Sequence, residues 1–165
     1  MEAICVLTNN LYNIRGNIKF IKIKKNLIKI IINIEGLKPG YHGIHIHKSG
    51  DLRKGCISLC EHFNPYNSIH GSLLDTRYKR HVGDLGNILA NKNGIVKTII
   101  FDNLISLSGK CNVIGRSVVI HELKDDLGLG GINNNGEIID LKEYNESIKT
   151  GNAGKRIACG VIGWL

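Results

Sequence analysis

Two kinds of stretch alternate along this chain: short runs in which apolar side chains recur at every second position, and longer segments with no period. The clearest run is residues 27–35, where Ile28, Ile30, Ile32 and Ile34 alternate with Lys29, Asn33 and Glu35. A period of two puts the first set on one face of a β-strand and the second on the other. The run before it, residues 14–24, carries Ile18 and Phe20 and then Ile21 and Ile23, a one-residue slip that a β-bulge would absorb. Lys24-Lys25-Asn26 between the two predicts a turn, and the lysines mark the solvated face of a hairpin. Further strands are predicted at residues 3–7, 87–90, 95–101, 117–121 and 158–162.

The run Gly43-Ile44-His45-Ile46-His47 is different in kind. On a strand His45 and His47 share one face while Ile44 and Ile46 point the other way. Two imidazoles side by side are either half of a metal site or two polar groups on a wet sheet face, and the strand alone leaves both open.

Residues 48–84 have no sustained period, yet they hold Cys56, Cys60, His62, His70, His81 and Asp84 among scattered glycines. A long irregular segment in a compact domain is usually functional, and one this rich in ligand types points to a metal ordering it. Three imidazoles and a carboxylate, His62, His70, His81 and Asp84, suit a closed tetrahedral zinc site. His45, His47 and His121, with His62, offer the all-nitrogen ligation that copper accepts. A second aperiodic segment, residues 122–156, is rich in glycine, asparagine and charge. Many short strands, little helix and two long loops predict a single all-β domain over residues 1–165, a sandwich or barrel.

The net charge of +8 favours anionic partners. The lysines are dispersed, however, and only 5% of residues are aromatic. A nucleic-acid groove with interleaved aromatics is therefore not expected. Neither a leader pattern nor a membrane span is visible, so the expected location is cytoplasmic. Five cysteines leave at least one free thiol in a monomer.

Several ordered motifs then converge: Gly43-Ile44-His45-Ile46-His47, His62-Phe63-Asn64-Pro65, His81-Val82-Gly83-Asp84-Leu85-Gly86-Asn87, Ile105-Ser106-Leu107-Ser108-Gly109, Asp125-Asp126-Leu127-Gly128, and the stretch from Gly151-Asn152-Ala153-Gly154-Lys155-Arg156 to Gly163. Together they resemble the copper/zinc superoxide dismutases over essentially the whole chain. The resemblance implies an eight-stranded Greek-key β-barrel or sandwich with a zinc loop and an electrostatic loop. It implies an enzyme that converts superoxide to dioxygen and hydrogen peroxide while copper alternates between Cu(II) and Cu(I). Copper would be held by His45, His47, His62 and His121, and zinc by His62, His70, His81 and Asp84. His62 would be the imidazolate between them, and would take a proton when its bridge to copper breaks.

The same resemblance makes His42 a structural histidine, Asp125 the carboxylate that accepts from His45 and His70, and Arg156 the residue that docks superoxide. Glu146, Lys149 and Thr150 fall at the steering rim, and Cys56 pairs with Cys159. Cys5 and Cys111 are expected as free thiols, whereas Cys60 has no counterpart. A homodimer is implied through Gly50, Ile114, Val161 and Trp164. Lys155 and Ile157 stand where some fungal relatives have proline, which suggests copper loading without strict need of the copper chaperone. The chain departs from the family pattern in an insertion at residues 132–144 and at Leu123 and Asn145. The alternative to an active enzyme is a non-catalytic metal-binding or chaperone-binding decoy on the same scaffold; the retained copper ligands and Arg156 argue against it.

Overall fold

The isoleucine alternation folds as its period predicts. The computed structural model describes residues 1–10 and 12–165. Its strands are β1 (Glu2–Val6), β2 (Asn9–Asn10), β3 (Arg15–Lys24), β4 (Leu27–Glu35), β5 (Gly40–His47), β6 (Arg53–Cys56), β7 (Asp84–Ala90), β8 (Val96–Asp102), β9 (Ser117–His121) and β10 (Arg156–Trp164). Ile28, Ile30, Ile32 and Ile34 of β4 face inward and meet Ile18 and Phe20 of β3, Ile44 and Ile46 of β5, and Val118 and Ile120 of β9 in one core.

Eight strands run in the order β7-β5-β9-β10-β1-β3-β4-β8, with the two-residue β2 added to β10. Every pairing along that order is antiparallel. The two end strands, β7 and β8, lie against each other, so the barrel is nearly closed. Neighbours far apart in sequence, such as β4 beside β8 and β5 beside β9, are the signature of Greek-key connections.

Two expectations need correction. The register of β3 against β4 runs unbroken through Ile21 and Lys22 and shifts only between Lys22 and Lys24. Ile21 is thus an outer-face residue, and the expected irregularity falls two residues later, at Ile23, which is 52% exposed. An apolar outer position imitated an earlier slip of the inner face.

The second correction is in the electrostatic loop, which contains a ten-residue helix, α1 (Leu141–Thr150). Asp140 caps its start by accepting from the Glu143 N–H at 2.9 Å. Gly151, at φ 68°, ends it in the left-handed conformation and returns its N–H to the Ser147 carbonyl. The Asp-x-x-Glu start and the glycine stop were both readable. The helix lies on the surface with only Ser147 buried, so no apolar period announced it. The insertion forms a turn closed by the Ile132–Ile138 bridge and then the first residues of α1. Among the described residues, no helix is long and apolar enough to cross a membrane.

One buried ion pair braces the zinc loop. Arg80 and Asp102 are both buried and bonded to each other. Arg80 also donates to the Asp84 backbone carbonyl at 2.7 Å, so the pair fixes the start of β7 where Asp84 sits.

Candidate metal centre

Strand β5 is buried on both faces from His42 onward. Ile44 and Ile46 enter the core, while His45 and His47 turn to the other side, beneath the loops. His121 ends the neighbouring strand β9, and His62 is drawn in from the loop by a bridge to His47. The ring nitrogens of His45, His47, His62 and His121 come within 4.8 Å of one another, all buried.

Hydrogen-bond partners dictate which nitrogen of each ring is left bare. The His47 Nδ1 lies 2.8 Å from the Cys60 carbonyl and the His121 Nδ1 lies 3.1 Å from the Gly154 carbonyl. A carbonyl only accepts, so both Nδ1 atoms carry the proton and both Nε2 atoms carry a lone pair. His45 is reversed: its Nε2 donates to Asp125 Oδ2 at 2.7 Å, which bares Nδ1. These three bare atoms, His45 Nδ1, His47 Nε2 and His121 Nε2, are buried without a hydrogen-bond partner. Buried lone pairs with no donor are costly unless something electrophilic takes them, and a metal ion fits that description.

The second group stands on the far side of His62. Asp84 Oδ1 lies 2.9 Å from His62 Nδ1, 3.0 Å from His70 Nδ1 and 3.1 Å from His81 Nδ1. The His81 and His62 Nδ1 atoms are 3.3 Å apart. Edges near 3.3 Å are what zinc–ligand bonds of about 2.0–2.1 Å require in a tetrahedron. His45 also falls within 4.8 Å of His62, His70 and Asp84. With Nε2 held by Asp125, His45 has only Nδ1 to offer, and that atom belongs to the four-imidazole group. His81 completes the second group better. His62 belongs to both groups, its Nδ1 facing Asp84.

Asp125 joins the two groups from behind. Fully buried, it takes His45 through Oδ2 and the His70 Nε2 through Oδ1 at 2.8 Å. Gly151 makes room for this: a Cβ there would sit 2.0 Å from Asp125 Oδ1 and 2.4 Å from His70 Nε2. His42 ties two further segments, with Nδ1 2.8 Å from the His121 carbonyl and Nε2 2.8 Å from that of Lys38.

The electrostatics favour metal over proton on the four-imidazole side. Burial, reinforced by His62, holds His45 and His47 well below the usual histidine range, and burial lowers His121 to about 4. All three are neutral ligands at pH 7. Burial alone would raise Asp84, but hydrogen bonds from His62, His70 and His81 outweigh it and keep the carboxylate ionised. Burial likewise opposes charge on His70, yet Asp125 and Asp84 prevail and push its pKa up to about 10.

A cavity of about 350 Å³ opens over His47, His62 and His121. Arg156 lines it, placed opposite His121 where β10 bulges and re-aims its side chain. The guanidinium is held by carbonyls, Nη1 to Cys56 at 2.9 Å and Nη2 to Cys60 at 2.6 Å, with the Glu61 carboxylate acting on it through space. Cys56 is itself fixed by its disulfide to Cys159. Helix α1 supplies Glu146, Lys149 and Thr150 to the rim, three positions that share one helical face. Glu61 and Asn152 also line the cavity and were not anticipated; Glu61 precedes His62, and Asn152 lies within the motif that carries Arg156. Leu123, Asn145 and the insertion at residues 132–144 are absent from that lining. The residues read as an interface cluster in part: a Cβ on Gly50 would meet the Gly115 carbonyl and Val161, while Trp164 is 56% exposed.

Cys60 is strained. Its φ of 62° and ψ of −158° lie in a region that only glycine enters freely, and it costs about 1–3 kcal/mol elsewhere. Cys60→Gly is expected to keep both carbonyl contacts and to stabilise the protein by about 1 kcal/mol, raising Tm by about 2–4 °C in calorimetry. A lower Tm would show that the thiol contributes more than its backbone strain removes.

A Greek-key barrel carrying two ligand groups that share a histidine, beneath an open channel, defines a candidate binuclear metal centre. The family model "Copper/zinc superoxide dismutase (SODC)" matches residues 14–162. The superoxide dismutase [Cu-Zn] of Paramecium bursaria Chlorella virus 1 is 50% identical over 165 residues, covering 99% of this chain and 79% of its own. The Drosophila melanogaster extracellular superoxide dismutase [Cu-Zn] is 47% identical over 91% of this chain and 76% of its own. Superoxide dismutase [Cu-Zn] 3 of Arabidopsis thaliana is 44% identical over 92% of this chain and 84% of its own. The crystal structure of the clock protein EA4 superposes with a TM-score of 0.86 at 43% identity, covering 99% of this chain and 94% of the other. The chain belongs to the copper/zinc superoxide dismutase family, oxidoreductases that bind copper and zinc. The extracellular designation of the Drosophila relative, shared by one from Brugia pahangi, runs against the cytoplasmic expectation.

Proposed function

We propose that this chain dismutates superoxide, two superoxide anions and two protons giving dioxygen and hydrogen peroxide. The observation that carries the reading is the set of bare imidazole nitrogens on His45, His47 and His121, two of them on residues that line a channel together with Arg156. His45, His47, His62 and His121 would hold copper, which would supply one-electron cycling, and His62, His70, His81 and Asp84 would hold zinc, which would fix His62 and the loop.

The chain's own groups do the rest. Arg156 draws the anion to the channel floor and orients it, because a guanidinium presents several donors in a fixed plane. His62 releases or accepts a proton at Nε2, on the channel side, while Nδ1 stays with Asp84. Lys149 adds positive charge at the rim; Glu146 accepts from the Thr150 hydroxyl at 2.9 Å and holds that face of α1 in shape.

The direct test measures metal content and superoxide consumption on the same purified protein. Copper and zinc with rapid consumption, abolished in His121→Ala while zinc is retained, supports the reading. Both metals without activity would leave the decoy. Arg156→Ala removes a charge-assisted contact of about 1.5–3 kcal/mol, so kcat/KM is expected to fall about 10- to 100-fold, with metal content unchanged. An unchanged kcat/KM would take anion docking away from Arg156.

The chain is further read as a homodimer joined through Gly50, Ile114, Val161 and Trp164. What supports it is exposed apolar surface at the end of β10, with Trp164 56% and Leu165 63% exposed. Sedimentation showing a monomer at micromolar protein would overturn it.

A further inference from the structure

We propose a second anion site, separate from the channel and built to take a phosphate group. It is a cavity of about 320 Å³ where three parts of the chain meet. The β3–β4 turn gives Lys25 and Asn26, the zinc loop gives Tyr66 and Arg77, and the segment after β8 gives Asn103 through Cys111, including Lys110. None of its lining residues lines the channel.

The charge is one-sided. Lys25, Arg77 and Lys110 line the cavity and no carboxylate does. Among the described residues, none of the three takes part in a salt bridge; the acids that do form one pair with Arg15, Lys19, Arg53, Arg80 or histidines. Asp102, next to Asn103, is buried on Arg80 and on the backbone N–H groups of Leu104 and Ile105. A neighbouring depression shares Lys25, Asn26 and Asn103 and adds Lys24.

Aromatic rings hold two of these cations. The Lys110 ammonium lies 4.3 Å from the centre of the Tyr66 ring; the Arg77 guanidinium carbon lies 5.5 Å from that ring and 4.9 Å from the Tyr78 ring, to whose hydroxyl Arg77 donates at 2.7 Å. An aromatic face attracts cations without cancelling their charge, so it concentrates positive potential where an acid would have quenched it. Cations repelling each other around one cavity are stabilised by an anion between them. Ser106 and Ser108 hydroxyls and the Asn26 and Asn103 amides add neutral donors to the same lining. Lysine and arginine with several neutral donors and no acid is the chemistry that recognises a phosphate, which offers many acceptor oxygens at once.

The test follows backbone amides by nitrogen-15 NMR in the metal-loaded, reduced protein at constant ionic strength. Inorganic phosphate and ATP are titrated separately, with adenosine as the neutral control. Saturable shifts at residues 25–26, 66, 77 and 103–111 are expected, with ATP binding at least as tightly as phosphate. Lys110→Gln should weaken that response about tenfold and leave the response of channel amides, and the rest of the spectrum, unchanged. Lys25→Gln should do the same by an independent route. Shifts confined to the channel, a non-saturating drift over all lysines, equal binding of adenosine, or no loss in either variant would each overturn the proposal.

Discussion

Replacing Asp125 with alanine is expected to weaken zinc binding about 10- to 100-fold, the usual cost of removing a partner that orients a metal-binding histidine. Asp125 never reaches the ions' side of the rings. It accepts from His45 Nε2 at 2.7 Å, from His70 Nε2 at 2.8 Å and from the Leu127 N–H at 2.7 Å. With the carboxylate gone, both imidazoles lose the acceptor that holds their proton on Nε2. Each ring can then place it on Nδ1, the atom that should meet the metal. His45 belongs to the four-imidazole group and His70 to the other, so both sites should loosen, from one substitution that removes no ligand. Competition against a chromophoric chelator reads zinc affinity directly, and copper affinity can be read in the same variant. Asp125→Asn keeps one acceptor and should fall between wild type and alanine. Wild-type zinc affinity in the alanine variant would mean that loop packing alone orients His70.

What was legible in the sequence divides by physical cause. The inner strands were, because Ile28 to Ile34 alternate between a core and water, and that contrast is written at every second residue. The ligands were, because His45 and His47 must share a face once their strand is fixed, and because His62 to Asp84 interrupt a loop with no other reason to hold imidazoles. The outer face misled as to where β3 slips, since Ile21 is apolar where burial does not require it. Helix α1 went unseen for the converse reason: it packs through Ser147 and its caps, so its signal lay in Asp140 and Gly151. The Arg80–Asp102 pair and the tautomers of the imidazoles depend on contacts between distant segments. No local pattern carries them.

Breaking the Cys56–Cys159 disulfide is expected to cost the metal-free protein about 3–5 kcal/mol of stability. The two cysteines are 103 residues apart, and closing a loop of that size is worth about 4.7 kcal/mol in the chain-entropy description. For a chain of 165 residues that corresponds to a fall in Tm of roughly 6–20 °C. Cys159→Ser leaves a hydroxyl at a fully buried position, so reduction of the wild-type protein supplies the cleaner comparison. Denaturant unfolding of oxidised and reduced protein should show this shift, and the variant about 1–3 kcal/mol more, the cost of a buried hydroxyl without a partner. The site should respond too. The Cys56 carbonyl holds Arg156 Nη1, and the short helical turn from Ile57 to Leu59 leads directly to Cys60, whose carbonyl holds Nη2 and the His47 Nδ1. Once Cys56 is released from β10, that turn has lost its covalent anchor and Arg156 its fixed pair of acceptors. kcat/KM should therefore fall with metal content intact, and the loss should shrink in Cys60→Gly, where the turn relaxes without strain. Full kcat/KM in reduced protein that still holds both metals would show that the carbonyls of Cys56 and Cys60 keep Arg156 in place by themselves.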